Sequence, residues 1–156
     1  ANVAGYQWWR STATVTLGAW GHYAVVDDGT LETAPTFYLN GTSSAAVDIG
    51  GAGTGTPTGG GATIRIGRRA DGVTQMDGRL AECAIWDVQL TANEITSLAK
   101  GASPAQVRRL NLLRYWPLWG VASPEVELSG NAATGTVTGA VQAGHCPCAP
   151  YAGRSR

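Results

Sequence analysis

Charge is what this sequence has least of. Only 14% of its 156 residues are Asp, Glu, Lys or Arg, and 11 basic residues balance 11 acidic ones to a formal net charge of zero. A chain with no excess field of one sign has nothing with which to recruit nucleic acid or anionic lipid, so neither is expected as a partner. Ten of the eleven bases are Arg and only Lys100 is Lys. Beside so much Ala and Gly, that skew reflects coding bias more than binding chemistry. Histidine is scarce as well: His22 and His145 stand alone, with no G-x-S-x-G turn to make a nucleophile beside either. No apolar run approaches the roughly 18 residues of a membrane helix. The opening ANVAGYQWWRS also lacks the basic and apolar regions of a secretory signal, so the chain is expected to be soluble or to have lost its signal already. Cys83, Cys146 and Cys148 make an odd number, and Cys146-Pro147-Cys148 is too tight for an easy bridge between its own sulfurs. Cys83 bonded to one tail cysteine remains open beside the preferred reading, a reduced chain made in a cytoplasm.

What is present is short apolar alternation punctuated by turns. The length suits one domain, burying roughly 68 to 70% of its unfolded surface in a single core. YQWWR and TATVTL, within residues 6–17, read as one or two strands, and residues 20–27 as another. Residues 36–39 and 45–49 flank Asn40-Gly41, the dipeptide most tolerant of the positive φ angles of a type I′ turn, which predicts a hairpin. Residues 50–61, with seven Gly and one Pro, read as a loop with no phosphate-binding Gly-Lys-Ser/Thr. Residues 62–67 and 78–88 are further strands, with Cys83 and Ile85 on the buried face of the second. Thr91-Ala92-Asn93-Glu94 fits a capping box and Gly101 a left-handed stop, so a helix is predicted over 92–100 with Ile95, Leu98 and Ala99 facing a sheet. Ser103-Pro104 caps a short turn, residues 110–119 return as an apolar strand, and residues 134–138 are a last candidate. About nine strands and one helix, without βαβ alternation, predict an all-β protein: an antiparallel two-sheet jelly-roll sandwich with one short helix. A surface of Thr, Ser, Gly and Ala resists self-association less than a charged one, which suits a protein that lives inside an assembly.

In order along the chain, AWGHYAVV is followed by FYLNG, IRIGRR and MDGRLAECAIWDVQLTANEI, and then by LLRYWPLWG and ELSGNAATGTVTG. On these pieces the sequence resembles a concanavalin A-like lectin/glucanase jelly roll of the laminin G-like type, and more narrowly the versions encoded in bacteriophage and prophage structural genes. The resemblance runs from residue 18 to residue 153. It implies one laminin G-like domain over residues 1–142 and a Pro/Gly-containing tail over 143–156. Such domains have several strands before the Trp-x-His segment, and only 17 residues precede it here. Those strands are lost, or are absent from this chain, or are supplied by another subunit; the last reading expects neighbours to pair an open sheet edge.

The candidate sites follow from both lines of reasoning. Trp8 and Trp9 are adjacent, so in a strand they point to opposite faces and at least one is exposed. With Tyr6 they are the predicted interface or sugar-stacking residues, interface being the favoured use. Trp20, Trp86, Trp116 and Trp119 are expected in the core. Asp27 and Asp28 are candidate calcium ligands, as the resemblance implies, although a turn at Asp28-Gly29 accounts for them equally. His22 reads as a strand residue bonded across the sheet. His145, Cys146 and Cys148 offer three zinc ligands but no fourth. The Asn40-Gly41-Thr42 sequon is accounted for by the hairpin turn. Retaining glycoside hydrolysis needs two carboxylates about 5 to 5.5 Å apart. Glu82 has no second acid on its strand, and Glu125 with Glu127 falls in a loop, so no catalytic residue is assigned and no enzyme is expected. The resulting expectation is a non-enzymatic virion structural protein, a capsid decoration, cement or fibre subunit. It would be made in a host cytoplasm and bind other virion proteins or copies of itself. The alternative is a carbohydrate-binding module for adhesion, extracellular or at a cell surface, with glycan as ligand and calcium as a possible cofactor.

Overall fold

A computed structural model describes residues 7–51, 53–54, 64–68, 73, 75–119 and 123–140. Seven strands lie among them: β1 (Gln7–Ser11), β2 (Tyr23–Val26), β3 (Thr36–Leu39), β4 (Thr42–Ser44), β5 (Ala46–Gly51), β6 (Cys83–Trp86) and β7 (Leu112–Trp116). One α-helix, α1 (Ala92–Ala99), follows β6. Every pairing is antiparallel, and the strands form three hydrogen-bonded groups, β1-β5, β2-β3-β4 and β6-β7. The class is therefore all-β with a single helix, as the strand pattern predicts.

Local chemistry decides the best-defined elements. Asn40 and Gly41 have φ of 53° and 80°, and Leu39 pairs directly with Thr42. A two-residue loop with both central residues at positive φ is the turn that matches strand twist, so the hairpin closes at its tightest length. Gly41 is required twice over. A Cβ there would stand 3.2 Å from the Thr96 Cα of the helix and 3.3 Å from the Ala99 Cβ. The capping box at Thr91 forms as its spacing dictates: the Thr91 hydroxyl accepts from the Glu94 amide, and the Glu94 carboxylate accepts from the Thr91 amide at 2.8 Å. Gly101, at φ 96°, ends the helix. Ser103 caps a 3-10 turn over Pro104–Gln106.

The core gathers around that helix. Leu90, Ile95, Leu98 and Val107 are buried together, and Ala24 and Val26 of β2, Tyr38 of β3 and Trp86 of β6 pack against them. The Trp86 indole spends its N–H on the Val107 carbonyl at 2.9 Å, so the large ring is buried without an unmet donor. Beside this cluster β7 buries Leu112, Tyr115 and Trp116, with Pro117 just beyond it.

Several expectations are corrected. TATVTL forms no strand past Ser11, and 78–88 narrows to four strand residues. In 110–119 the strand likewise narrows to Leu112–Trp116, because Pro117 has no amide to extend the ladder. Gly50 and Gly51, read as loop, belong to β5, at φ 129° and 127° that glycine alone adopts without strain. Residues 134–138 supply only an isolated bridge, Gly135 to Glu125. Of 62–67, Ala62 and Thr63 lie outside the described residues, and the rest leads into a bridge between Arg68 and Gln75. Trp116 is buried and Trp86 half-buried, but Trp20 and Trp119 are each 40% exposed. Apolar side chains reach a core only where an element carries them there, and neither of these sits in a strand.

Candidate functional site

The β1-β5 ribbon has no other strand paired to it among the described residues. Burial along β1 alternates: Gln7, Trp9 and Ser11 are half-buried while Trp8 and Arg10 are exposed. The two tryptophans thus obey the two-residue period of a strand. The register then shifts: Trp8 pairs with Gly50 but Trp9 with Asp48, which leaves Ile49 as the extra residue of a β-bulge. Bulges re-aim neighbouring side chains and raise local twist. Here Gln7, Trp8, Trp9 and Ile49 line one open depression of about 430 Å³. Gly50 opposite Trp8 has open space where a Cβ would stand, so no side chain from β5 covers the Trp8 ring at that position. Asp48 fixes the bulge by accepting the Gly50 amide at 2.8 Å. Trp8 remains 47% exposed and Ile49 47%.

An indole pair with one amide side chain and an aliphatic wall has two uses: stacking a flat or pyranose-like face, or filling a partner's pocket. Neither use requires a titrating group, and none lines the depression. Tyr6, the third predicted member, lies outside the described residues. Gln7 and Ile49 were not singled out from the sequence. Ile49 becomes visible only once the bulge is known, and no local signal announces a bulge between Trp8 and Trp9.

The other candidates sit elsewhere. Asp27 and Asp28 each spend a carboxylate oxygen on their own turn. Asp27 Oδ1 accepts the Gly29 amide at 2.6 Å, while Asp28 Oδ1 accepts the Thr30 amide at 2.9 Å and its hydroxyl at 2.8 Å. The Thr30 bonds hold the Asp28 carboxyl below its ordinary range. Among the described residues no three His, Cys, Asp or Glu side chains gather as a metal-binding group. His145, Cys146 and Cys148 lie outside them. His22 is bonded to the hairpin through its backbone, its amide donating to Asn40 Oδ1 at 2.9 Å and its carbonyl accepting the Asn40 amide at 2.8 Å. The ring stays apart: Nδ1 is buried without a hydrogen-bond partner, and burial pushes the imidazole pKa down. Cys83 is a free thiol that burial, helped by the nearby Glu82 charge, pushes up to about 11. It is protonated at neutral pH and a poor nucleophile.

The carboxylates examined for catalysis carry structure. Glu82 accepts the Tyr115 hydroxyl, and Glu127 accepts the Tyr115 amide at 2.7 Å and the Ser129 amide at 2.9 Å. The two acids therefore hold the side-chain end and the backbone end of one buried tyrosine. Glu125 is 6% exposed, in the bridge to Gly135.

With this geometry in place the family can be stated. The family model of the concanavalin A-like lectin/glucanases superfamily, of laminin G type, matches residues 1–96, from ahead of β1 into α1. That is more than half of the chain, and the chain belongs to this superfamily. No curated protein and no solved structure matches it. Membership suggests a carbohydrate-binding or adhesion-type domain.

Proposed function

We propose that this chain is a non-enzymatic structural subunit of a phage-like particle, a capsid decoration, cement or fibre protein that binds neighbouring subunits through the Trp8-Trp9 ribbon. The observation that carries the reading is the balance of exposure. Among the described residues eighteen large hydrophobic side chains are exposed, against seven buried hydrophobic ones. Scattered exposed apolar residues are ordinary, but an excess that includes Trp8 and Ile49 around one open depression marks a surface made to be covered. The absence of net charge supports the same reading, since nothing in it keeps copies or partners apart. The carboxylates bound to Tyr115 support the non-enzymatic part, because each oxygen held by a structural donor is less available as an acid or base. The particle, formed in a host cytoplasm, is the proposed location, and other virion proteins or further copies of this chain are the proposed partners.

A second reading rests on the same depression. Two indoles beside the Gln7 amide suit a sugar ring, and the superfamily favours carbohydrate, so the chain would then be an adhesion module at a cell surface, with Asp27 and Asp28 as the place to look for calcium. Isothermal titration with mono- and oligosaccharides, with and without calcium, separates the two. Saturable binding abolished by Trp8→Ala supports adhesion. No heat with any sugar, together with the chain's presence in purified particles, supports the structural subunit.

A further inference from the structure

The segment Thr12 to Leu17 has the composition of a strand and no strand to pair with. Thr12 still donates to the Ala45 carbonyl at 3.0 Å, continuing the β1-β5 ladder by one residue. At Ala13 the ladder ends: its amide is taken by the Ser44 hydroxyl at 2.9 Å and the Ser11 hydroxyl at 3.0 Å, while Ser44 itself pairs with Phe37. Beyond that point the chain outruns its partner. Residues 14–16 belong to no sheet, and a turn with Gly18 at φ 73° follows. Val15 is 54% exposed and Leu17 92%. Native edges are usually guarded by charge or Pro, yet no Asp, Glu, Lys, Arg or Pro occurs between Arg10 and Asp27.

The pattern of this segment fits one occupant, a second copy of itself. Antiparallel pairing centred on Val15 sets Val15 opposite Val15, Ala13 opposite Leu17 and Thr14 opposite Thr16 of the other copy. One face of the pair is then wholly apolar, with the large Leu against the small Ala, and the other carries Thr opposite Thr, a favourable cross-strand pair. Shifting the register by one residue sets Thr against Leu and Val and mixes the faces, so the symmetric register is the one that segregates them. A contact in which residue i meets j and j meets i closes as a two-fold dimer.

We propose that Thr12–Leu17 is an inter-subunit strand, through which two copies of this chain pair antiparallel about an axis at Val15. This rests on the reading of the chain as an assembling subunit and names one of its contacts. The test is sedimentation velocity over a concentration series from low to several hundred micromolar. The wild-type chain is expected to shift from monomer to dimer. Val15→Lys, which sets two ammonium groups face to face on the axis, is expected to stay monomeric with an unchanged melting temperature, whereas Val15→Thr is expected to dimerise. Ala13→Lys and Leu17→Glu are each expected to weaken the dimer alone and to form a heterodimer when mixed, because positions 13 and 17 face each other across the axis. A wild-type chain that stays monomeric throughout overturns the proposal, as does a Val15→Lys chain that dimerises like wild type. A failed dimer together with Trp8-dependent binding to particles would leave the structural-subunit reading standing. A Val15-dependent dimer that joins no particle would retain the strand and remove that reading.

Discussion

The helix-backed part of the molecule and the β1-β5 ribbon are made of similar residues but finished differently. Around α1, the apolar side chains of β2, β3 and β6 find Ile95, Leu98 and Val107, and the one large polar donor, the Trp86 indole, finds the Val107 carbonyl. In the ribbon, Trp8, Val47 and Ile49 meet no second layer among the described residues and stay exposed. The difference is not hydrophobicity, since the ribbon holds two tryptophans. What it lacks is an amphipathic element across from it. One region therefore supplies stability, and the other supplies surface for a partner.

Truncations on the two sides should separate these roles. The largest effect is expected from Ile95→Ala, at 2% exposure one of the most deeply buried side chains, which should cost about 2 to 5 kcal/mol in chemical denaturation. A loss under 1 kcal/mol would mean that the helix-backed cluster is not the core. Trp9→Ala belongs to the other region. It should weaken association with neighbouring subunits by about 2 kcal/mol, or roughly 30-fold, as interface aromatics do. Its effect on the unfolding midpoint should be small by comparison, and unchanged association would remove Trp9 from the interface. Gly41→Ala probes the joint between hairpin and helix. Positive φ and the 3.2 Å approach to Thr96 both oppose a methyl group, so a loss of about 1 kcal/mol or more is expected, and a neutral result would mean that hairpin and helix do not touch as described.

The smallest effects are those of pH, and their signs are fixed. Burial holds the His22 pKa below its ordinary 6.5, so the unfolded chain takes up a proton before the folded one does. Stability is full above about pH 6.5 and erodes as pH falls toward the lowered folded value. His22→Gln should flatten that part of a melting-temperature profile. At lower pH a second step belongs to Glu94, whose carboxyl is held near 2, chiefly by the Arg108 guanidinium at 2.6 Å and then by the Thr91 amide and hydroxyl. Its contribution is present above pH 4.5 and is lost between 4.5 and about 2. Arg108→Gln should shrink this step and leave the His22 step in place.

Features that rest on chemistry a few residues wide were legible in the sequence. Asn40-Gly41 carries its own backbone preference, and Thr91 with Glu94 carries its own hydrogen bonds, so the hairpin and the helix start fall where the spacing puts them. The TATVTL strand failed for the opposite reason. Alternation shows that a segment could line a sheet face, but a strand also needs a neighbour, and β4 and β5 end opposite Ala13. Trp20 and Trp119 teach the same lesson about burial, which belongs to the fold and not to the residue type. Of the candidate site, the tryptophan pair could be read from adjacency. The bulge that brings Gln7 and Ile49 beside it could not, since it depends on how β1 and β5 slip past each other.

The central claim is that this lectin-like sandwich works by adhering to neighbours through the uncovered ribbon. The most direct measurement is quantitative mass spectrometry of purified particles from cells producing either the wild-type chain or Trp8→Ala/Trp9→Ala. Retention of the wild-type chain at a fixed ratio to the other particle proteins, with loss of the double variant though it remains folded in the lysate, is the predicted result. A wild-type chain missing from particles, or a double variant retained at the same ratio, would contradict it.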